Sequence, residues 1–223
     1  MPRLVAIDLA CRRGGRLVFA GLGLDVGAGG ALLLTGRNGC GKSTLLRVLA
    51  LLTPALRGTF AWDGVPAADD ADAWRGRIAW LGHAEAVKGD LSVRENLVSA
   101  ETLRRGRAPA AAEIARAAER FDLGPLLDRP GRHLSAGQRR RAALARVVLS
   151  DAPLWLLDEP ASGLDAASRV ALHEALAAHR GGGGIAVVSS HGELDPPDAT
   201  VIDVGAFAPS AAADDARWTG DAA

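Results

Sequence analysis

A glycine-rich stretch directly follows a short apolar run near the start of the chain. Residues 31–35 read ALLLT, residues 36–44 read GRNGCGKST, and an apolar helical pattern begins at Lys42. This is the G-x-x-x-x-G-K-[ST] spacing between a strand and a helix, in which backbone amides and the positive end of the helix dipole converge on a phosphate. The chain is therefore predicted to hold a nucleoside phosphate where a buried strand meets a helix.

Each residue of this loop has an expected part in the site. Lys42 is expected to reach the β and γ phosphates of ATP, and Ser43 to bind Mg²⁺. Cys40 stands at a variable position that a small residue fits. The loop residues predicted to contact the nucleotide are Gly36, Arg37, Asn38, Gly39, Cys40, Gly41, Lys42, Ser43 and Thr44. The alternative, a glycine-rich turn with a chance lysine, is disfavoured by the flanking strand and helix.

The rest of the chain alternates between apolar β-type runs and helical patterns. Strands are predicted at 4–9, 16–19, 22–26, 31–35, 77–81, 154–157, 185–189 and 200–204, and helices at 42–51, 92–105, 109–121, 135–149 and 166–179. Several strands are continuously apolar, as strands buried on both faces are. This alternation is typical of an α/β fold with a parallel sheet.

The helical patterns of residues 92–149 come without a convincing strand, so they are predicted to form a helical subdomain. A capping box at Ser92 to Glu95 marks where it begins. It would be inserted into a core made of about 1–91 and 150–205, giving one domain over 1–205. The small, polar residues of 206–223 are predicted to form a flexible tail.

Charge and cysteine content narrow the choice of partner and compartment. The net charge is zero, from 26 basic and 26 acidic residues, so no overall field draws the chain to nucleic acid or anionic lipid. Cys11 and Cys40 have neither metal-ligand nor disulfide spacing, which suits a reducing compartment. No run approaches the roughly 18 apolar residues of a spanning helix. Membrane association is therefore expected through partners and without direct insertion.

Two adjacent carboxylates follow a second apolar strand, where residues 154–159 read LWLLDE. Ligands of open α/β sheets gather at such strand ends. Asp158 is expected to bind Mg²⁺, and Glu159 to orient or deprotonate the attacking water. Taken alone, the stretch is equally well a buried strand ending in a solvated acidic turn, and the phosphate loop is what favours a functional site.

Three further motifs follow the order found in one family. Residues 134–138 read LSAGQ and resemble the LSGGQ signature of ABC ATPases with alanine in third place, 161–165 read ASGLD like the family's D-loop, and His191 ends an apolar run like its switch histidine. Ser135 and the amide of Gly137 at a helix start would form a second anion site. The alternative for Ser135 is a simple helix N-cap.

The resemblance to ABC ATPases, carried by residues 36–191, implies a P-loop NTPase (RecA-like) core, the inserted helical subdomain and an N-terminal antiparallel β subdomain. It implies hydrolysis of ATP with Mg²⁺, in which His191 contacts the γ-phosphate. Ser135, Gly137 and Gln138 would meet the γ-phosphate held on a second copy of the chain. The other implied partners are integral membrane subunits, with the chain peripheral at the cytoplasmic face of the inner membrane.

Two positions depart from the usual pattern of the family. His83 stands where a glutamine that touches Mg²⁺ or water is usual, and imidazole can still hydrogen-bond a water. Arg13 stands where an aromatic residue usually stacks on adenine, and the chain has no tyrosine. A guanidinium can stack on a π face, so Arg13 is a candidate for binding adenine. A solvated loop arginine is an equal alternative.

These departures resemble the ATPase family of the cytochrome c maturation haem-exporter system. The matching runs are CRRGGR from Cys11, WLGH from Trp80, LSAGQRRR from Leu134 and PLWLLDEP from Pro153. The resemblance implies an ATP-driven membrane complex for haem export or release of a haem chaperone. The alternatives are another ABC transporter, a soluble ABC ATPase, a small-molecule P-loop kinase and a non-hydrolysing binding module.

Overall fold

The structure is a computed structural model that describes residues 1–190 and 192–209. Its strands are β1 Arg3–Arg13, β2 Arg16–Gly27, β3 Ala31–Thr35, β4 Arg57–Trp62, β5 Val65–Pro66, β6 Ile78–Leu81, β7 Leu154–Asp158, β8 Ile185–Ser189 and β9 Thr200–Asp203. Its α-helices are α1 Lys42–Leu49, α2 Ala71–Gly76, α3 Val93–Arg105, α4 Ala111–Arg120, α5 Ala136–Leu149 and α6 Ala166–Gly181. The predicted α/β fold is confirmed.

The larger sheet is parallel, with strand order β6-β7-β8-β3-β9. Strands β7 and β8 are buried along their whole length, as their continuously apolar sequences predict. Side chains alternate between the two faces of such a strand. On β7, Trp155 and Leu157 pack with the helices α5 and α6, whereas Leu154 and Leu156 pack with α1 and the N-terminal sheet. Because β3, β8 and β7 are adjacent and parallel, their carboxyl ends at Thr35, Ser189 and Asp158 lie along one edge of the sheet.

The N-terminal sheet is antiparallel, with strand order β2-β1-β4-β5. Strands β1 and β2 form a hairpin whose tip, Gly14 and Gly15, has φ values of 56° and 80°, as the two central residues of a type I′ turn require. The runs predicted separately at 16–19 and 22–26 form one strand, β2. Residues 57–76 were predicted as neither strand nor helix and contain β4, β5 and α2.

The helices α3, α4 and α5 share one apolar core that includes Leu97, Ile114 and Leu144. Ser92 caps α3 in the predicted capping box with Glu95. The division of the chain at about 92 and 149 stays a prediction. Of the tail predicted at 206–223, residues 206 and 207 belong to a short 3₁₀ helix at Val204–Phe207, and the part from 210 onward lies outside the described residues. Within the described ranges no helix is long and apolar enough to cross a bilayer.

One histidine is built into the face of the parallel sheet. The ring of His179 on α6 stacks on Trp155 of β7, with centroids 4.1 Å apart and planes 10° apart. Its Nε2 lies 3.1 Å from the carbonyl oxygen of Ile185. Burial lowers the pKa of His179, and the Ile185 carbonyl and the charge of Asp151 oppose that shift only in part. The native fold thus favours the neutral imidazole.

This lowered pKa predicts a pH-dependent stability with a defined sign. As the pH decreases, the unfolded chain takes up a proton at His179 near pH 6.5, whereas the folded chain does so only at a lower pH. The free energy of unfolding therefore has its highest value above about pH 6.5 and decreases as the pH falls toward the folded pKa. His179→Gln should flatten this slope in thermal unfolding measured between about pH 5.5 and 7.5. His173→Gln, an exposed position on the same helix, is the control. An unchanged slope in His179→Gln would contradict the prediction.

Candidate functional site

The glycine-rich loop connects β3 to α1 and depends on glycine at two of its positions. Gly41, the N-cap of α1, has a φ of 115°, and a Cβ there would lie 2.7 Å from Cγ1 of Val18. Gly36 has a φ of 121°, and a Cβ there would lie 2.7 Å from the Cys40 sulfur. Any other residue is both strained and crowded at these positions. The loop can therefore approach β2 closely and present its amides to a ligand.

Lys42, the first residue of α1, lies inside the curve of this loop. Its side chain is buried, with 5% of the residue exposed. The ammonium Nζ donates to the carbonyl oxygen of Gly36 at 2.9 Å. A buried cation at a helix N-terminus makes this end of the sheet attractive to an anion.

The loop opens onto a cleft of about 970 Å³. Of the predicted residues, those that line it are Arg13, Asn38, Gly39, Cys40, Gly41, Lys42, Ser43, Thr44, His83 and Glu159. The cleft is also lined by Arg16, Leu17, Val18, Ala208 and Pro209, none of which was predicted from the sequence. Arg16 pairs with Arg13 across the hairpin tip, and the two arginines around Gly14 and Gly15 were a usable signal for it.

Asp158 sits between two hydroxyl groups at the end of β7. Its Oδ1 accepts hydrogen bonds from Ser43 Oγ at 3.0 Å and from Ser189 Oγ at 2.7 Å. Asp158 and Ser189 are register partners on adjacent parallel strands, and Ser189 is fully buried. Ser189 was not predicted as a site residue, although its place at the end of a predicted buried strand was a usable signal. The contacts bring the predicted metal-binding residues Ser43 and Asp158 together.

Glu159 follows Asp158 in a left-handed backbone conformation, with a φ of 48°. Such a conformation costs a non-glycine residue about 1–3 kcal/mol and persists where its surroundings fix it. Here the amide of Glu159 donates to Ser189 Oγ at 2.9 Å and to the Ser189 carbonyl at 3.2 Å. The turn directs Glu159 to the cleft that Lys42 also lines. A carboxylate and an ammonium thus face the same space.

The start of α5 forms a separate feature. Ser135 is its N-cap, since Ser135 Oγ accepts from the Gln138 amide at 3.2 Å and Gln138 Oε1 accepts from the Ser135 amide at 2.9 Å. Ser135 is exposed, and a Cβ at Gly137 would lie 3.4 Å from the carbonyl oxygen of Gly163. Ser135, Gly137 and Gln138 are not among the residues that line the cleft. The helix start therefore faces outward beside the 161–165 turn.

Three other predicted site residues are placed as follows. The backbone carbonyls of Gly36 and Arg37 accept from Lys42 Nζ, at 2.9 Å and 3.5 Å. His191 lies outside the described residues. The turn at 161–165 leads into α6, where Asp165 is the N-cap and accepts from the Ser168 amide at 2.8 Å. The hydrogen bond from the Ser168 amide holds the pKa of the Asp165 carboxyl below its ordinary value.

Comparison with known proteins shows which family this chain belongs to. A family model described as ABC transporter matches residues 19–162. The cytochrome c biogenesis ATP-binding export protein CcmA of Paramagnetospirillum magneticum is 49% identical over 204 residues, which cover 91% of this chain and 94% of that protein. The chain belongs to the ABC transporter family, and within it to the CcmA group.

Further matches agree with this membership. The CcmA protein of Rhodospirillum rubrum is 48% identical over 202 residues, covering 91% of this chain and 85% of that protein. A putative ABC transporter ATP-binding protein from Pyrococcus furiosus superimposes with a TM-score of 0.81 at 26% identity, covering 93% of this chain and all of that one. The predicted P-loop NTPase fold and ATPase activity of this ABC protein are confirmed, as is its binding of ATP.

The two cysteines offer a test of where the nucleotide binds. Cys40 lines the cleft and is partly exposed, whereas Cys11 is fully buried on β1 and burial raises the pKa of its thiol. A maleimide should therefore modify Cys40 and spare Cys11, since the thiolate is the reactive form. ATP should slow the modification, followed by mass spectrometry, and Cys40→Ser should abolish it. Equal modification rates with and without ATP would place the nucleotide elsewhere.

Proposed function

We propose that this chain is the ATP-hydrolysing subunit of a membrane complex for cytochrome c biogenesis, which acts in haem export or in release of a haem chaperone. The proposal rests on the identity of nearly half of the aligned residues to two proteins named as cytochrome c biogenesis ATP-binding export proteins. The alternative is an ATPase subunit of another ABC transporter. The observation that carries the enzymatic part is the cleft that Lys42 and Glu159 both line.

In this proposal the triphosphate of ATP lies along the loop of residues 36–44. The amides of the loop and of the start of α1 bind phosphate oxygens, and Lys42 stabilises the charge on the β and γ phosphates. Arg13 lies at the hairpin tip on the same cleft, where its guanidinium can stack on adenine. The apolar side chains of Leu17 and Val18 line the cleft beside it.

Ser43 and Asp158 fit the requirements of Mg²⁺. A hydroxyl and a carboxylate oxygen lie 3.0 Å apart at the edge of the cleft, and Mg²⁺ prefers oxygen ligands supplied by one or two side chains together with substrate phosphates. Ser189 holds Asp158 from the other side. Bound there, the ion would neutralise negative charge on the phosphates.

Glu159 is proposed as the residue that orients or deprotonates the attacking water. Its backbone is fixed by Ser189, which sets the place from which its side chain enters the cleft. His191 is proposed as the contact to the γ-phosphate. His83 lines the cleft and is proposed to hydrogen-bond a water there.

A second copy of the chain is proposed to complete the site. The start of α5 presents amides outward, and a helix N-terminus binds anions. Ser135, Gly137 and Gln138 would reach the γ-phosphate held on the other copy, so that two ATP molecules are enclosed between two chains. The capping bond from the Gln138 amide uses one lone pair of the Ser135 hydroxyl, which leaves the other lone pair and the proton for a further contact.

The membrane partners are proposed to be integral membrane subunits, which makes the chain peripheral at the cytoplasmic face of the inner membrane. The proposed place of contact is the segment from Gly82 to Asn96, which leads into α3 and includes its first turn, together with the helical region of α3 to α5. ATP-driven closure of two copies would be transmitted to the membrane subunits through it.

Two substitutions test the roles of Lys42 and Glu159. Lys42→Ala should abolish ATP binding, because the buried ammonium is lost from the loop. Glu159→Gln should retain ATP and slow hydrolysis about 10²- to 10⁴-fold, the usual contribution of a general base. Binding of a fluorescent ATP analogue and phosphate release are the measurements, with Glu174→Gln, an exposed carboxylate on α6, as control. Turnover by Glu159→Gln at the wild-type rate would show that another carboxylate acts.

The cytochrome c assignment has its own experiment. The chromosomal copy in the parent organism is replaced by Glu159→Gln, the protein level is checked by immunoblot, and c-type cytochromes are detected by haem staining. Loss of mature c-type cytochromes is expected, because the complex would bind ATP without completing its cycle. Unchanged cytochromes would contradict the assignment and favour the alternative function, an ATPase subunit of another ABC transporter.

A further inference from the structure

Arg140 on α5 forms hydrogen bonds to the turn at residues 158–160 and to the loop that contains Gly82. It is buried, with 4% of the residue exposed. Its Nη2 donates to the backbone carbonyls of Asp158 at 2.9 Å and Glu159 at 2.5 Å. Its Nε donates to the carbonyl of Pro160 at 3.3 Å, and its Nη1 to the carbonyl of Gly82 at 3.1 Å. One guanidinium therefore spans the turn after β7 and the loop that leads to His83.

The surroundings of Arg140 make these hydrogen bonds consequential. Burial lowers the pKa of Arg140, opposed by the negative charges of Glu85, Asp158 and Glu159. A buried charge is tolerated only when its hydrogen-bonding groups are satisfied, and here carbonyl oxygens satisfy all three guanidinium nitrogens. Removing the guanidinium would leave those carbonyls to find other donors.

We propose that Arg140 is a positioning residue for ATP hydrolysis, which holds the turn at residues 158–160 so that Glu159 keeps its left-handed conformation. The proposal rests on the role proposed above for Glu159. The amide side of the turn is fixed by Ser189, and Arg140 fixes the carbonyl side. Together they supply the surroundings that a strained residue needs in order to persist.

The same contacts link Glu159 to the helix start that is proposed to meet the second copy. Arg140 lies on the second turn of α5, whose N-cap is Ser135. Because the guanidinium joins α5 to the turn and to Gly82, a displacement of the start of α5 is transmitted to the backbone of Glu159. Arg140 thus gives the outward-facing anion site a direct connection to the catalytic carboxylate of the same chain.

The substitution Arg140→Lys distinguishes a positioning role of the guanidinium from a role in packing alone. Arg140→Lys keeps the positive charge and the long apolar stem. An ammonium is a compact point charge, however, and cannot reproduce a planar fork that reaches carbonyls on two segments. A small displacement of a catalytic group costs up to about 10²-fold in rate, so Arg140→Lys should lower kcat about 10- to 100-fold.

The test is a double-mutant cycle with Glu159→Gln. Single-turnover hydrolysis of radiolabelled ATP is measured for the wild type, Arg140→Lys, Glu159→Gln and the double variant, and the Kd for ATP is measured in each. If Arg140 acts through Glu159, Arg140→Lys should change the residual rate of Glu159→Gln by less than about twofold, since effects of residues that act as a unit are not additive. The Kd for ATP should stay unchanged in Arg140→Lys.

The matched control is Arg141→Lys. Arg141 is the next residue of α5, and its Nη1 donates to the carbonyls of Phe121 and Asp122, away from the cleft. This variant should retain the wild-type kcat. An equal loss of rate from Arg140→Lys in both backgrounds, whether from weakened folding or from lost ATP affinity, would show a merely structural role and overturn the proposal. Wild-type turnover by Glu159→Gln would instead overturn the role of Glu159 itself.

Discussion

The hydrogen bonds around the turn after β7 join parts of the chain that are distant in sequence. Asp158 accepts from Ser43 at the start of α1 and from Ser189 at the end of β8. The backbone of the same turn is held by Ser189 and by Arg140 of α5. The phosphate loop, the parallel sheet and the helical region are therefore fixed with respect to one another at a single place, and that place is where the carboxylates of the cleft are located.

The parallel sheet explains why these groups meet. Strands β3, β8 and β7 are adjacent and point the same way, so the loops after them lie along one edge. Apolar side chains bury β7 and β8 from both faces, which makes this edge rigid. The antiparallel hairpin then adds Arg13, Arg16 and Val18 as a further wall of the cleft. A rigid edge suits a reaction in which catalysis comes mainly from positioning and charge.

Much of this architecture was predictable from local sequence. The loop of residues 36–44 and the apolar runs of β3, β7 and β8 carry strong patterns, and the structure has each of these elements where the patterns place it. Strand β4 was missed because its residues, RGTFAW, lack clear alternation, and its place is fixed by pairing with β1. Helix α2 has only six residues, which is too short for a periodic signal.

The contacts that complete the site could not be predicted in this way. Arg140 acts on the turn at residues 158–160, 18 to 20 residues away in sequence, so no local motif reports it, whereas Ser189 could be found only from its place at the end of the buried strand β8. In sequence Arg140 is one of three consecutive arginines near the start of α5, and only its burial distinguishes it from Arg139 and Arg141. The left-handed conformation of Glu159 is likewise a consequence of its surroundings, since glutamate has no preference for it.

Every role proposed for the cleft depends on ATP being bound on the loop of residues 36–44 with the side chain of residue 159 at the γ-phosphate. The most direct measurement is a crystal structure of Glu159→Gln grown with ATP and Mg²⁺. We expect the triphosphate on this loop, the ion held by Ser43 and Asp158, and residue 159 in the left-handed conformation facing the γ-phosphate. A triphosphate bound elsewhere, or residue 159 turned away from it, would contradict the proposed roles.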